Sequence, residues 1–218
     1  MRSRLEIIRL LVNPGIIAVV RAQRGEQVLS LSEALVAGGV SAVEVTMTTP
    51  GALDAIRWTK QQLGSRVVIG VGTVLEAQTC QSAIEAGAEF VVSPILRTEI
   101  VKAAHASDRP VMLGAYTPTE AQLAHEAGAD FVKLFPADSL GPAFVRALLA
   151  PLPHLRIVPT GGVDLQTARP FLQAGCVALG TGSSLVSPQL LRESNWAELT
   201  KRAQTWVSTV AAARQSGA

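Results

Sequence analysis

A lysine interrupts a short apolar run in the stretch ADFVKLFPAD, residues 129–138. The run around Lys133 ends at Pro136 and is typical of a strand buried on both faces, as in parallel sheets. Burial penalises the ammonium form and favours the neutral amine, which is a nucleophile for carbonyl groups. The position therefore indicates catalysis, and the structural alternative is a lysine paired with an inward-facing acid.

A glutamate occupies a similar setting in the run AVEVTM, where Glu44 lies between Val43 and Val45. A carboxyl group buried near Lys133 could move protons during Schiff-base chemistry, although a purely structural ion pair is the alternative. Arg21 ends the run IIAVVR. Its guanidinium could bind a carboxylate through two hydrogen bonds, or it could simply be solvated at the end of a strand.

Two glycine-rich stretches, PTGGV at 159–163 and GTGSS at 180–184, end the last two apolar runs. Glycine lets the backbone approach a ligand and offer its N–H groups to an anion, so we predict a phosphate site there. Two earlier runs end in Thr73 and in Pro94. A hydroxyl and a rigid turn could line the same pocket, although packing and turn chemistry also explain these residues.

These side chains belong to eight apolar runs that alternate with helical patterns. The runs are IIAVVR, AVEVTM, VVIGVGT, FVVSP, VMLGAY, FVKLFP, RIVPTGG and VALGTG. Such alternation predicts a parallel sheet with helices outside it. We predict one domain over residues 1–218, a (β/α)8 barrel with an extra amphipathic helix at its N-terminus and its active site where strands end. A doubly wound open sheet is less favoured, because VVRAQRGEQ stands where that fold would carry GxGxxG.

An internal echo relates EAGAEFVVSP at 85–94 to EAGADFVKLFP at 126–136 and aligns Lys133 with Val92. An apolar residue therefore suits the same strand position, so the fold does not require a charge there. The other lysines, Lys60, Lys102 and Lys201, fall in helical patterns for which we expect solvated faces.

Composition limits the function further. The 218 residues are 48% hydrophobic, and 19 basic and 17 acidic residues are spread along the chain. We therefore expect no nucleic-acid patch, no membrane-binding surface and a small-molecule partner. The histidines lack HxH and HExxH spacing and the two cysteines are far apart, so we expect neither a metal nor a disulfide, and no cofactor. The N-terminal stretch is too short and too charged for a membrane span or a secretory signal, which favours a cytoplasmic protein.

Seven motifs, in this order and over nearly the whole chain, carry a resemblance: EVTMTTP, GVGTV, EAGAEFVVSP, TPTE, VKLFPAD, PTGGV and GTGSSL. They resemble the 2-keto-3-deoxy-6-phosphogluconate (KDPG) and 4-hydroxy-2-oxoglutarate aldolase family of class I aldolases. The resemblance implies a metal-free homotrimeric barrel that cleaves a phosphorylated keto acid to pyruvate and glyceraldehyde 3-phosphate.

Carried over residue by residue, the resemblance makes Lys133 the Schiff-base lysine and Glu44 the general acid/base. It assigns the remaining residues to the substrate: Arg21 and Thr73 at the keto-acid end, Pro94 and Phe135 lining the pocket, and Thr160, Gly161, Gly162, Gly182 and Ser183 binding phosphate and substrate.

Two departures from the family pattern affect specificity. Thr48 stands where some members have arginine, so carboxylate recognition rests more heavily on Arg21. Leu113 stands where many members have proline, and we expect it to border the pocket. The alternatives are a 2-keto-3-deoxy-6-phosphogalactonate aldolase, a phosphate-binding barrel synthase or isomerase without a covalent intermediate, and a non-catalytic sugar-acid sensor.

Overall fold

Eight parallel strands form the centre of the fold, which confirms the predicted barrel. The computed structural model describes residues 2–215. Its strands are β1 (Ile16–Val20), β2 (Ala42–Thr46), β3 (Val68–Gly72), β4 (Phe90–Val92), β5 (Val111–Ala115), β6 (Phe131–Leu134), β7 (Ile157–Pro159) and β8 (Leu179–Thr181). They pair in the order β7-β6-β5-β4-β3-β2-β1-β8, and a bridge between Thr160 and Gly180 joins the two ends of the sheet.

Helices alternate with these strands along the chain. They are α1 (Arg4–Val12), α2 (Gln27–Ala37), α3 (Ala52–Leu63), α4 (Ala77–Glu85), α5 (Thr98–Ala106), α6 (Pro118–Glu126), α7 (Gly141–Leu149), α8 (Leu165–Gln173), α9 (Pro188–Glu193) and α10 (Trp196–Gln215), with a short 3₁₀ turn at Gly64–Arg66. The predicted N-terminal helix is α1. The segments α9 and α10 follow β8, so two helices rather than one complete the last unit. No helix within residues 2–215 is long and apolar enough to cross a membrane.

Strand alternation divides the buried apolar residues into two clusters. On β6, Phe131 belongs to an inner cluster inside the barrel, whereas Val132 and Leu134 belong to the outer cluster between strands and helices. The inner face of β6 therefore carries Phe131 and then Lys133, as the sequence predicted.

Helix α1 closes the N-terminal end of the barrel. Its buried Ile7 and Leu11 belong to the inner cluster, where they pack with Phe131 and other strand residues. Ser3 and Glu6 begin the helix with a capping box, in which each side chain accepts the other residue's backbone N–H. The apolar side of the predicted amphipathic helix, with Ile7 and Leu11, thus closes the barrel, and we call it the plug.

Buried ion pairs surround this plug. Glu89, just before β4, accepts Arg2 Nη1 at 3.0 Å and Lys60 Nζ at 2.8 Å. Asp130, just before β6, accepts Arg4 Nε at 2.8 Å and lies 3.1 Å from His105 Nε2. The expectation of a solvated Lys60 is therefore wrong, because its amine pairs with a buried carboxylate from the neighbouring unit.

Candidate active site

Lys133 and Glu44 meet inside the barrel. Lys133 is 5% exposed and Glu44 is 2% exposed, and Lys133 Nζ lies 3.4 Å from Glu44 Oε1. The distance is long for an N–H···O hydrogen bond, yet short enough for proton exchange directly after a small shift or through one water. The two ionisable residues predicted to lie inside separate strands, β6 and β2, thus form one buried pair.

Glycines on β3 make room for this pair. A Cβ atom at Gly72 would overlap Glu44 Oε1, and a Cβ at Gly70 would overlap the ring of Phe90. The inner face of β3 therefore carries no side chain at these two levels, so the glutamate can extend across it towards Lys133. Gly72 had no predicted role, although the motif GVGT contains it.

Arg21 follows β1 and is held by a side chain from the loop after β2. Its Nε donates to Thr48 Oγ1 at 3.1 Å. Thr48 Oγ1 lies 2.8 Å from Thr46 Oγ1, at the end of β2 and two residues beyond Glu44. The threonine at the position that departs from the family pattern thus contacts the arginine on which carboxylate recognition was expected to rest.

Thr73 and Pro94 end β3 and β4 with unusual local geometry. Thr73 has φ of 59°, in the left-handed region, which is a strained conformation for a β-branched residue. Such strain is concentrated at functional sites, where the surrounding structure enforces it. The Pro94 backbone passes so close to β5 that a Cβ at Gly114 would overlap its carbonyl group.

Phe135 and the glycine loop after β7 are adjacent. Lys133 Nζ lies 5.4 Å from the centroid of the Phe135 ring, and a Cβ at Gly161 would lie 3.3 Å from atoms of that ring. Phe135 remains 39% exposed, so it lies at the mouth of the site rather than in its floor. A Cβ at Gly180 would overlap Thr160 Oγ1, so this glycine makes room for the threonine where β7 meets β8.

The glycine loops after β7 and β8 offer free backbone donors. Gly161 and Gly162 have φ of 89° and 71°, conformations that favour glycine. Within residues 2–215, the N–H groups of Gly162 and Ser183 have no hydrogen-bond acceptor. Successive N–H groups in such turns can bind anions. Asp138, which the sequence analysis did not identify, packs against Gly162, and its Oδ1 accepts the Ser139 N–H at 2.9 Å.

All the predicted site residues lie within a strand or in the first three residues after it, at the C-terminal end of the barrel. Contacts link Lys133 with Glu44 and Phe135, whereas Arg21, Gly182 and Ser183 share only this end of the barrel with them. The expectation for Leu113 is wrong. Its side chain is buried in the outer cluster, because Met112 and Gly114 are the β5 residues on the opposite, inner face.

Two other kinds of site find little support in the described residues. No group of three or more His, Cys, Asp or Glu within residues 2–215 is arranged to hold a metal ion. Burial raises the pKa of Cys80 to about 11 and that of Cys176 to about 12. Both thiols therefore stay protonated near neutral pH and are poor nucleophiles.

A cavity of 790 Å³ lies at the opposite end of the barrel, lined by Arg2, Lys60, Glu89 and Arg109 among others. Glu89 is already paired there, and Arg109 Nη1 donates to the backbone carbonyls of Arg2 and Asp108. The polar groups that line this cavity hold the N-terminal segment against the turns before β4 and β5. The Lys133–Glu44 pair is therefore the better candidate for chemistry.

The fold and this pair define a (β/α)8-barrel enzyme with its candidate active site at the C-terminal ends of the strands. The family model described as "KDPG and KHG aldolase" matches residues 7–202, and the chain belongs to this family. It is 34% identical over 195 residues to a 2-dehydro-3-deoxy-phosphogluconate aldolase of Haemophilus influenzae, covering 89% of this chain and 92% of the relative. The chain is thus an aldolase, a carbon–carbon lyase.

Relatives with different substrate names also match. A 2-dehydro-3-deoxy-6-phosphogalactonate aldolase of Escherichia coli K12 is 32% identical over 171 residues, which cover 78% of this chain and 83% of the relative. A KDPG aldolase structure from Legionella pneumophila, with pyruvate captured as a covalent carbinolamine, has a TM-score of 0.85 and 27% identity. The alignment covers 91% of this chain and 97% of that one. The identities do not separate the gluconate from the galactonate substrate.

Proposed function

We propose that the chain is a class I aldolase that cleaves 2-keto-3-deoxy-6-phosphogluconate to pyruvate and glyceraldehyde 3-phosphate through a Schiff base on Lys133. The observation that carries the proposal is the buried Lys133–Glu44 pair, with its amine and carboxyl group 3.4 Å apart. The Lys133 amine also lies 5.4 Å from the ring centroid of Phe135, a residue that is 39% exposed, so the pair lies near the surface at the C-terminal end of the barrel.

The first half of the proposed reaction forms an electron sink. The Lys133 amine attacks the C2 ketone of the substrate to give a carbinolamine. Glu44 then protonates the hydroxyl group of the carbinolamine, which leaves as water. The resulting iminium ion withdraws electrons from the neighbouring C3–C4 bond. Glu44 suits this role because Gly72 leaves its carboxyl group unobstructed next to the amine.

The second half of the proposed reaction cleaves the C3–C4 bond and then hydrolyses the imine. Glu44, or a water that it binds, takes the C4 hydroxyl proton, the C3–C4 bond breaks, and glyceraldehyde 3-phosphate leaves. The electron pair of that bond forms an enamine. Protonation at C3 and hydrolysis of the imine then release pyruvate and the free amine.

We propose that the two ends of the substrate bind at separate loops. Arg21 would bind the C1 carboxylate, with Thr73 and Pro94 beside it. The phosphate would accept hydrogen bonds from N–H groups of the loops after β7 and β8, and the free donors of Gly162 and Ser183 support this role. Holding both ends would bring C2 to the amine in a reactive geometry.

The gluconate substrate is the finer part of the proposal. The motif PTGG supports it, because members of the galactonate branch tend to lack the Pro-Thr pair found here at 159–160. Thr160 is buried next to Gly180, where it joins β7 to β8. We also propose cleavage of 4-hydroxy-2-oxoglutarate, which shares the 2-keto acid end but lacks the phosphate.

Borohydride reduction in the presence of pyruvate, followed by peptide mass spectrometry, tests the Schiff base. We expect a stable adduct on Lys133, and an unmodified Lys133 in active enzyme would refute the proposal. Turnover of the gluconate and galactonate epimers then tests the substrate. Faster cleavage of the galactonate epimer would overturn the assignment without affecting the Schiff base.

Cytoplasmic localisation remains a prediction from the sequence. We further propose that the chain forms a homotrimer. Three consecutive loops at the C-terminal end of the barrel, after β3, β4 and β5, each expose a large apolar side chain: Leu75, Ile95 and Tyr116. An apolar rim of this kind favours contact with another protein surface, and we assign it to a second copy of the chain. Sedimentation equilibrium should give three times the chain mass, and a monomer at micromolar concentration would contradict the trimer.

A further inference from the structure

Three successive residues at the end of β1, Val20, Arg21 and Ala22, are each bound by a different threonine of the stretch TMTT at 46–49. Thr46 Oγ1 donates to the Val20 carbonyl at 3.1 Å, and Arg21 Nε donates to Thr48 Oγ1 at 3.1 Å. The Ala22 N–H donates to Thr49 Oγ1 at 3.1 Å. We call Thr46, Thr48 and Thr49 the threonine clamp. It fixes the backbone on both sides of Arg21 as well as the guanidinium itself.

The contact of Thr46 with Val20 suggests a direction for the hydrogen bonds of the clamp. A carbonyl only accepts, so with the Thr46 hydroxyl donating to the Val20 carbonyl, Thr46 accepts in its 2.8 Å contact with Thr48. Thr48 therefore donates to Thr46 and accepts from Arg21 Nε. Because Thr46 is 1% exposed, this chain of hydrogen bonds starts from a rigid, buried anchor at the end of β2.

The clamp uses one nitrogen of the guanidinium and leaves the other two. Within residues 2–215, Arg21 Nη1 and Nη2 make no hydrogen bond or ion pair. A guanidinium oriented through Nε keeps its terminal edge available for a carboxylate, which it binds best through two parallel hydrogen bonds. An exposed arginine without such an anchor would lose side-chain entropy on binding.

We propose that Thr48 is a positioning residue that presents Arg21 to the C1 carboxylate of the 2-keto acid. The inference rests on the proposed function and deepens it. The chain achieves carboxylate recognition with a single arginine, because a hydroxyl relay orients that arginine in advance. Thr48 itself does not touch the substrate, so its loss weakens recognition of the carboxylate and not the reactivity of Lys133.

Imine trapping with two matched ketones tests this role. Pyruvate carries the carboxylate, whereas its amide, 2-oxopropanamide, offers the same ketone without the charge. Each is titrated against the enzyme with cyanoborohydride, which reduces an iminium ion in preference to a free ketone. The variants are Thr48→Val, which removes the hydroxyl at nearly constant shape, and Thr48→Ser, which keeps it. Thr205→Val is the control, because the Thr205 hydroxyl donates only to the Lys201 carbonyl within α10.

We expect Thr48→Val to raise the pyruvate concentration for half-maximal trapping about 10-fold, as for a lost hydrogen bond to a charged group. Its trapping with 2-oxopropanamide should match the wild type. Thr48→Ser and Thr205→Val should behave as wild type with both ketones.

Other outcomes separate the two proposals. Unchanged pyruvate trapping in Thr48→Val, or equal losses for both ketones, would overturn the positioning role and leave the Schiff base intact. Absence of any adduct on wild-type Lys133 would overturn the Schiff base. In that case, calorimetric pyruvate binding still tests Thr48, because wild type and Thr48→Val should differ about 10-fold if the clamp presents Arg21.

Discussion

Carboxylates are buried at both ends of the barrel, but their surroundings differ. At the N-terminal end, Glu89 is bound by Arg2 and Lys60, with the shortest contacts at 3.0 and 2.8 Å. Asp130 is bound by Arg4, by His105 and by the Val111 N–H at 2.9 Å. At the C-terminal end, the one cationic partner of Glu44 within residues 2–215 is the Lys133 amine, at 3.4 Å.

The number of donors around each carboxylate distinguishes structural carboxylates from the one that we propose takes part in the reaction. Glu89 and Asp130 precede their strands at equivalent positions of the internal echo, and each ties the N-terminal segment to the barrel. Their oxygens are each bound by several donors, so both carboxylates are engaged in structural contacts. Glu44 has a longer contact with its cation, which suits the proton transfers that we propose for it. Barrel enzymes generally place stability at the N-terminal end and reactive groups at the C-terminal end.

Replacing the lysine at each end by arginine gives the largest expected contrast. Lys133→Arg should abolish turnover and borohydride trapping, because a guanidinium stays protonated and cannot form an imine. Lys60→Arg should retain turnover, since a cation remains beside Glu89. A coupled assay of pyruvate release measures both. An active Lys133→Arg enzyme would rule out the Schiff base.

Replacing the glutamates by glutamine gives the next contrast. Glu44→Gln keeps the shape but cannot carry a proton, so turnover should fall about 100- to 10,000-fold, the range typical of general acid–base catalysis. The Michaelis constant should change much less. Steady-state kinetics at a temperature where the variant is folded measure the effect. If turnover is retained, Glu44 is structural and another group or a water moves the protons.

The sequence predicted where Lys133 and Glu44 lie better than it predicted the contacts at the N-terminal end of the barrel. Lys133 and Glu44 were recognisable because a charge inside an apolar strand contradicts its surroundings, and such conflicts are expected at functional sites. Strand alternation then gave the face of each residue. Glu89 and Asp130 gave no comparable signal, because an acid before a strand is ordinary when read from sequence.

Contacts between distant parts of the chain explain what the sequence could not predict. Lys60 looks like any solvated helical lysine, and only the fold brings it to Glu89, 29 residues away. The link between Arg21 and Thr48 spans 27 residues and depends on the pairing of β1 with β2. Leu113 was assigned to the pocket by its neighbourhood in the sequence, whereas the pleat of β5 turns it towards the helices.

The two loops that we propose bind phosphate offer a contrast between two glycines. Gly162 has φ of 71°, and a Cβ there would overlap Asp138, so a side chain would strain the fold. A Cβ at Gly182 would meet only Val19 O, at 3.8 Å. Gly182→Val should therefore fold and still crowd the phosphate. We expect its efficiency to fall at least about 10-fold with the phosphorylated substrate, as for lost hydrogen bonds to a charged group.

Imine formation with pyruvate should be unaffected in Gly182→Val, because pyruvate has no phosphate and Lys133 lies on another strand. Kinetics with phosphorylated and unphosphorylated keto acids, together with trapping, measure this selectivity. Equal losses with both substrates in a folded variant would mean that the loop after β8 does not bind phosphate.

The smallest effect on turnover is expected at the plug end. Glu89→Gln removes the charge that neutralises Arg2 and Lys60, so the free energy of unfolding should fall by about 2–4 kcal/mol. Turnover per folded molecule should stay near the wild-type value, because Glu89 precedes β4 at the end opposite Lys133. Urea unfolding followed by circular dichroism measures stability, and steady-state kinetics at a temperature well below the transition measure turnover.

The control is Asp54→Asn, which removes an exposed pair with Arg57 and should cost less than about 1 kcal/mol. A Glu89→Gln enzyme as stable as the control would mean that the plug network contributes little. A large loss of turnover in the folded variant would show that the two ends of the barrel are coupled, because a group that only anchors α1 cannot change the chemistry at Lys133.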